Sequence, residues 1–279
     1  MSGTAGWQLR AAVLLAIIVA PITAALSAET EPLRAKTGVD PLLLKMAPAL
    51  AYTEIALAQV RETLSSDPND WKDTQLELLH QFAPRKLLIG RATGSERYGL
   101  HDDTLGLSGY YPLGERTTAY AEATTSNTHR VLARDSVHLQ LAQSLQQGWG
   151  LIGGLRRVSY DTTVVAIADL TVERYFSDYR VALTAYPSRS QTAGSAASYR
   201  LQFSRYYGEE NNIQLMLVSG TEVDKPTGVD QVLAASVRSV ALFGRHWLTR
   251  EWSIGYGIGY TEQGESTRRS ASLGLRYRF

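Results

Sequence analysis

The sequence contains no cysteine and almost no excess of either charge. A disulfide scaffold needs cysteine pairs and a lipoprotein needs one cysteine for its lipid anchor, so both classes are excluded. Lysine and arginine number 28 against 27 acidic residues, which leaves a formal net charge of +1. Nucleic-acid-binding domains usually carry a strong basic surface. The composition therefore argues against a nucleic-acid partner.

Long apolar runs are also missing beyond the amino terminus. The one such run, at residues 11–20, follows a single positive residue and ends at Pro21. It is too short for a typical membrane-spanning helix and precedes small residues, so it predicts a secretory signal peptide over residues 1–28. We expect cleavage after Ser27 or Ala28; an uncleaved membrane anchor is the alternative. An exported chain without a spanning helix can still enter a membrane if its strands close into a barrel.

The last twelve residues, 268–279, alternate between apolar and polar side chains. The apolar members are Ala271, Leu273, Leu275, Tyr277 and Phe279. Successive side chains of a strand point to opposite faces, so this segment predicts a strand with one apolar face and one cationic face. A water-soluble sandwich can end in this way. A terminal phenylalanine such as Phe279, however, resembles the closing strand of bacterial outer-membrane barrels, where it implies recognition by the assembly machinery.

A helical spacing of apolar residues occupies the segment before residue 84. Its members are Leu42, Leu43, Met46, Leu50, Ile55, Leu57 and Val60, followed after a break by Trp71, Leu76, Leu78, Leu79 and Phe82. This spacing predicts two short helices. Residues 29–84 are therefore interpreted as a short helical periplasmic segment.

After residue 84 the period changes to two, and residues 85–279 predict an up-and-down antiparallel transmembrane barrel of about twelve strands. The strands are expected near residues 86–97, 103–112, 116–126, 132–145, 148–159, 163–176, 178–187, 197–207, 211–221, 231–244, 250–261 and 268–279. Tight turns are expected at residues 113–115, 146–147, 177 and 208–210. Longer loops are expected at residues 188–196, 222–230 and 262–267. Short periplasmic turns and long extracellular loops are typical of such barrels.

The two faces of these strands differ in polarity. The polar side chains predicted to line the lumen are Ser136, His138, Gln140, Arg156, Asp169, Glu173, Arg180, Arg200, Ser236, Arg238, Arg276 and Arg278. Leu139, Val237 and Phe243 are expected on the lipid-facing side. A soluble barrel would invert this arrangement, with apolar residues inside. The signal peptide and Phe279 favour the membrane.

Several short motifs resemble the YaiO-type outer-membrane β-barrel family. They are the segment DYRVALTAYP at 178–187, GSAASY at 194–199, RYYG at 205–208, VSGTE at 218–222, and the residues Gly148, Trp149, Gly154, Leu155, Arg156 and Tyr160. The resemblance covers about residues 85–279. It implies a barrel in the outer membrane of a Gram-negative bacterium, with no established substrate or catalytic residues.

The sequence offers little support for an enzyme. Ser136 and His138 share one strand face, but a lone Ser-x-His lacks the third, orienting group of a nucleophilic site. Asp169 and Glu173 would lie about 13 Å apart on a strand, too far to share a proton. The five histidines, His80, His101, His129, His138 and His246, are scattered without zinc-site spacing. No catalytic residue, metal or cofactor is therefore predicted.

The best-supported function is a non-enzymatic barrel acting as a narrow pore, an export conduit or a structural component. One alternative is an outer-membrane enzyme acting on lipid or lipopolysaccharide through Ser136 and His138. Another is an adhesion module that uses the loops at 188–196, 222–230 and 262–267. The expected partners are outer-membrane lipid, the barrel-assembly machinery, and a polysaccharide or small solute.

Overall fold

The protein is a closed antiparallel barrel of fourteen strands. The computed structural model describes residues 51–66, 70–208, 210–224 and 233–279. The strands are β1 (Tyr52–Leu64), β2 (Trp71–Ala83), β3 (Lys86–Arg97), β4 (Leu100–Pro112), β5 (Thr117–Ser126), β6 (Asp135–Ser144), β7 (Trp149–Ser159), β8 (Val164–Phe176), β9 (Tyr179–Ser190), β10 (Gly194–Tyr207), β11 (Asn211–Asp224), β12 (Leu233–Trp247), β13 (Trp252–Gln263) and β14 (Ser266–Arg278). A 3-10 turn at Gln146–Gly148 is the only helical element in these ranges.

Each strand pairs with its neighbour in sequence, and β1 closes the barrel by pairing with β14. This closing ladder runs from Glu54 opposite Arg278 to Leu64 opposite Arg268. Closure leaves no exposed edge and satisfies every ladder within the sheet, which is what a chain in lipid requires. In the part of the chain described, no helix is long and apolar enough to cross a membrane.

The prediction of helices before residue 84 was wrong for the described part of that segment, because residues 52–64 and 71–83 form β1 and β2. The barrel thus begins at Tyr52 and has two more strands than the twelve expected. In β2 the apolar residues occupy both faces: Leu76 and Leu78 point outward, while Leu79 is buried inside. Apolar residues on both faces remove the period of two and imitate helical spacing. The predicted signal peptide and residues 29–50 lie outside the described residues.

The outer face of the barrel is apolar and the inner face is largely polar. On β6, the outward-facing Leu139 is 57% exposed, whereas the neighbouring His138 is 4% exposed. The same reversal holds on β9, where Leu183 is exposed and Arg180 and Thr184 are buried. A water-soluble protein would bury these leucines instead. The outer face therefore has the apolar surface that contact with lipid requires.

The two ends of the barrel differ. Both described termini lie at one end, which we call the terminal end, where the six turns contain two to four residues each. The opposite end combines two-residue turns, at 98–99 and 264–265, with longer connections such as residues 127–134. Two of the predicted long loops were wrong: β9 continues to Ser190 and β10 resumes at Gly194, and only residues 264–265 separate β13 from β14. Of the third, residues 222–224 belong to β11 and 225–230 lie outside the described residues.

Candidate functional site: an ionic network across the lumen

The network begins where the barrel closes. Glu54 on β1 is fully buried and accepts hydrogen bonds from Arg276 (2.7 Å) and from Arg278 (2.7 Å) on β14. Arg278 also binds Glu210, at the turn between β10 and β11, at 2.5 Å. A carboxylate shared by two guanidinium groups forms strong charge-assisted bonds. These contacts hold β1 against β14 from the inside.

The network continues around the wall through alternating charges. The second amino nitrogen of Arg276 donates to Glu77 on β2 at 2.8 Å. The same Glu77 accepts a bond of 3.1 Å from Arg91 on β3, and Arg91 lies 3.9 Å from Glu122 on β5. Each charge thus has an opposite charge on both sides. Such pairing is what makes charged groups tolerable in a dehydrated interior.

The far end of the network centres on His138. Arg156 lies 3.4 Å from Glu122 and donates to Nδ1 of His138 at 3.1 Å. The proton of the ring therefore lies on Nε2, which donates to Asp169 at 2.7 Å. The other oxygen of Asp169 accepts a 2.6 Å bond from Gln140. Every polar atom of this histidine is used in holding the network together.

A glycine makes this packing feasible. Gly154 faces inward on β7, opposite Asp169 on β8. A β-carbon at this position would lie 2.4 Å from Oδ1 of Asp169 and 2.6 Å from the side chain of Gln140. Any other residue would therefore push apart the carboxylate and amide that orient His138.

Further pairs and apolar clusters fill the remaining inner face. Glu173 and Arg180 form a buried pair at 2.7 Å, and the guanidinium of Arg200 lies 5.1 Å from the ring centre of Tyr186. One inner apolar cluster contains Met216, Val218, Val237 and Ala241 with Phe243 against it, and a second contains Leu79, Leu87, Ile89, Tyr110 and Tyr120. These side chains are buried although they point into the lumen. The lumen is therefore occupied by side chains along much of its described wall.

The structure places ten of the twelve predicted lumen residues on the inner face: Ser136, His138, Gln140, Arg156, Asp169, Glu173, Arg180, Arg200, Arg276 and Arg278. Ser236 and Arg238 were assigned to the wrong face, because both are exposed on the outside of β12. Val237 is 1% exposed and faces inward, as does Phe243. The inner apolar cluster reverses the usual polarity of this strand. When the apolar side chains of a strand face inward, an assignment that places apolar residues outside is wrong by one residue.

The residues suspected of chemistry are engaged elsewhere. The Ser136 hydroxyl bonds to Thr124 at 2.8 Å rather than to His138, whose two ring nitrogens face Arg156 and Asp169. Glu173 pairs with Arg180, separately from Asp169. No group of three metal-binding side chains comes together within the described ranges. Ser136 is therefore not hydrogen-bonded to His138, and Asp169 and Glu173 do not form a carboxylate pair.

Sequence reasoning missed Glu54, Glu77 and Arg91, three central members of the network. Glu54 and Glu77 lie in the segment interpreted as helical, so no strand face was assigned to them. The available signal was the alternation of Asp73, Gln75 and Glu77 with the intervening Thr74 and Leu76. That short polar series is hidden by the apolar residues that follow it.

Comparisons with known proteins found a matching family model and similar solved structures. A family model described as the YaiO membrane beta barrel domain matches residues 53–225. Among solved structures, the CymD monoaromatic hydrocarbon channel is similar over 85% of this chain and 89% of its own, with 11% identity and a TM-score of 0.55. The Omp33 outer membrane protein of Acinetobacter baumannii is similar over 83% of this chain and 100% of its own, with 12% identity and a TM-score of 0.49. No curated protein sequence matches this chain.

Proposed function

Because this chain belongs to the YaiO membrane β-barrel family, we propose that it is a non-enzymatic barrel of the outer membrane. In this proposal it forms a narrow pore whose lumen is closed at rest by its own side chains. The observation that carries the proposal is the buried ionic network from Glu54 to Asp169. Barrels of about eight strands are filled by side chains, whereas those of 16 to 18 leave an aqueous channel. A barrel of fourteen strands lies between these sizes, and here side chains fill its lumen. A pore through it would therefore open only when these side chains move.

Planar-bilayer conductance of the refolded protein tests this proposal. We expect the wild-type protein to conduct far less than a general-diffusion porin refolded in the same way. The double variant Glu77→Ala/Arg91→Ala removes two opposite, paired charges from the lumen without changing the net charge. Its conductance should rise several-fold, because the removed side chains open a water-filled path.

A matched control uses the exposed pair Lys72→Ala/Glu96→Ala, whose nitrogen and oxygen lie 3.4 Å apart on the outside. This variant should conduct like the wild type. A large, steady wild-type conductance would contradict the closed lumen. If neither the wild type nor the interior variant conducted at all, a purely structural barrel would replace the pore.

The enzyme alternative is tested on the same preparation with a phospholipid hydrolysis assay. We expect no hydrolysis, because Ser136 and His138 are not hydrogen-bonded to each other. Hydrolysis by the wild type that disappeared in both Ser136→Ala and His138→Ala would instead establish a lipid-acting enzyme.

The adhesion alternative loses support because two of its three loops are tight hairpins.

Phe279 is proposed as the signal that the assembly machinery recognises. It is 70% exposed, its backbone N–H donates to Thr53 at 2.9 Å, and its ring meets Tyr277 edge-on. Deleting Phe279 should therefore sharply reduce the amount of folded barrel in cells but alter the stability of refolded protein only slightly. Heat-modifiable gel migration of membrane extracts measures the first effect, and urea unfolding in lipid measures the second.

The control is Phe176→Ala, which removes another exposed aromatic ring at the terminal end, stacked on Tyr179. This variant should assemble normally. Equal amounts of folded barrel with and without Phe279 would refute the signal role.

A further inference from the structure

The outer wall carries a groove that the pore does not use. It lies across β6 to β10, toward the end opposite the termini, and its volume is about 640 Å³. Leu139 and Leu155 form one side, while Ala166, Ala168 and Pro187 belong to its lining. All five are on the membrane-facing side of the barrel. The groove is therefore open to lipid and not to the lumen.

Small side chains and a proline produce this depression. Ala166 and Ala168 stand where neighbouring positions of the wall carry leucine and valine. Pairing between β8 and β9 includes Ile167 opposite Ser188 and Leu170 opposite Ala185, but no pair in between. Pro187 lies in this gap and has no N–H to donate. The wall is thus thinned by the absence of both side-chain bulk and ladder bonds.

Two arginines line the groove at its outer end. Arg157 on β7 and Arg189 on β9 both stand opposite Ala166 in the register, so their backbones are about 10 Å apart. Both side chains are exposed on the outer face. Asp135 is near Arg157, but its carboxylate is bound to Arg134 at 3.0 Å. Within the described residues, Arg189 has no acidic partner.

Unneutralised arginine on a lipid-facing wall is unfavourable unless it meets water or an anion. Guanidinium groups bind phosphate through paired hydrogen bonds and are well suited to a site shared by two of them. An apolar groove leading away from such a pair matches an acyl chain attached to a phosphorylated headgroup. The chemistry of the groove and of its rim therefore belongs to one amphipathic anion.

We propose that this groove binds a lipid of the lipid A type, the phosphorylated and multiply acylated anchor of lipopolysaccharide. The phosphate lies between Arg157 and Arg189, and an acyl chain lies along Leu139, Leu155 and Ala168. The inference rests on the proposed outer-membrane location. It also takes the terminal end, with its six short turns, as the periplasmic one, and this places the groove in the outer leaflet. It does not depend on whether the lumen conducts.

The test is native mass spectrometry of delipidated, detergent-solubilised barrel titrated with lipid A. The variant Arg157→Gln/Arg189→Gln should weaken binding at least about tenfold, since two charge-assisted contacts are lost. The matched control is Arg174→Gln/Arg205→Gln, which neutralises two exposed, outward-facing arginines at the terminal end. This control should bind lipid A as the wild type does. Heat-modifiable migration verifies that each variant is folded.

Wild-type protein alone provides an independent arm. Lipid A without its phosphates should bind far more weakly, and neither inorganic phosphate nor phosphatidylglycerol at equal concentration should displace intact lipid A. Displacement by inorganic phosphate would overturn the proposal in favour of a soluble-anion site. The proposal would also be overturned if phosphatidylglycerol bound as tightly as lipid A, or if the two arginine double variants lost lipid A affinity equally. In either case Arg157 and Arg189 would be ordinary contacts with the membrane surface. Each of these results leaves the conductance proposal intact and is thus distinguishable from its failure.

Discussion

Replacing Leu78 with arginine should strongly reduce the yield of refolded barrel in lipid vesicles. Leu78 lies at the centre of β2, is 53% exposed on the outer face, and stands between Ile55 on β1 and Gly90 on β3. An arginine at the midplane of a lipid-facing wall costs roughly 2–4 kcal/mol. A typical free energy of unfolding is about 5–15 kcal/mol, so this loss is a large share of it. Heat-modifiable gel migration gives the refolded fraction, and urea unfolding gives the stability change.

The matched control is Thr74→Arg on the same strand and the same face. Thr74 lies about 13 Å from Leu78 along the strand, between Gln59 and Gly94. Near the membrane surface the same substitution should cost only about 0–1 kcal/mol. The comparison also tests whether β2 is a membrane strand at all. If the two arginine variants refolded with equal yield and stability, residues 71–83 would have to lie outside the membrane.

Removing the carboxylate of Glu54 should produce the largest effect of any single change in the lumen. Glu54→Ala leaves both Arg276 and Arg278 without the partner that joins β14 to β1. Breaking a buried ion pair by deleting one member typically destabilises a protein by about 3–5 kcal/mol, because the remaining charge stays buried. We expect the midpoint of urea unfolding in lipid to fall accordingly. Closure of the barrel depends on the same contacts, so refolding should also be slower.

Glu96→Ala is the control for this experiment. Glu96 bonds Lys72 at 3.4 Å, but both side chains are about half exposed on the outer face. Exposed pairs contribute about 0–1 kcal/mol, so this variant should unfold almost like the wild type. An equally small change in Glu54→Ala would mean that the closing strands are held by their backbone ladder alone. The ionic network would then not be the element that keeps the lumen closed.

The period of two was sufficient to predict membrane-barrel strands wherever one strand face is wholly apolar and the other wholly polar. At residues 136–141 of β6 and 198–204 of β10, apolar and polar residues alternate without exception, and the predicted faces of Leu139, His138 and Arg200 agree with the structure. The motifs from residue 148 onward pointed to the YaiO-type family, which the family match confirms. In these segments every outward side chain meets lipid and every inward side chain meets polar groups, so the local sequence is enough to predict which face a residue occupies.

Only the tertiary structure decided the number of strands and the members of the ionic network. β1, β2 and β12 place apolar side chains on both faces, because inner apolar clusters lie beside inner charges. There the alternation is lost, and a helix or a face shifted by one residue fits the sequence equally well. The pairing of Glu54 with Arg276 joins residues 222 positions apart. Such a contact follows from closing the cylinder, in which the first and last described strands become neighbours and their inward charges must neutralise each other.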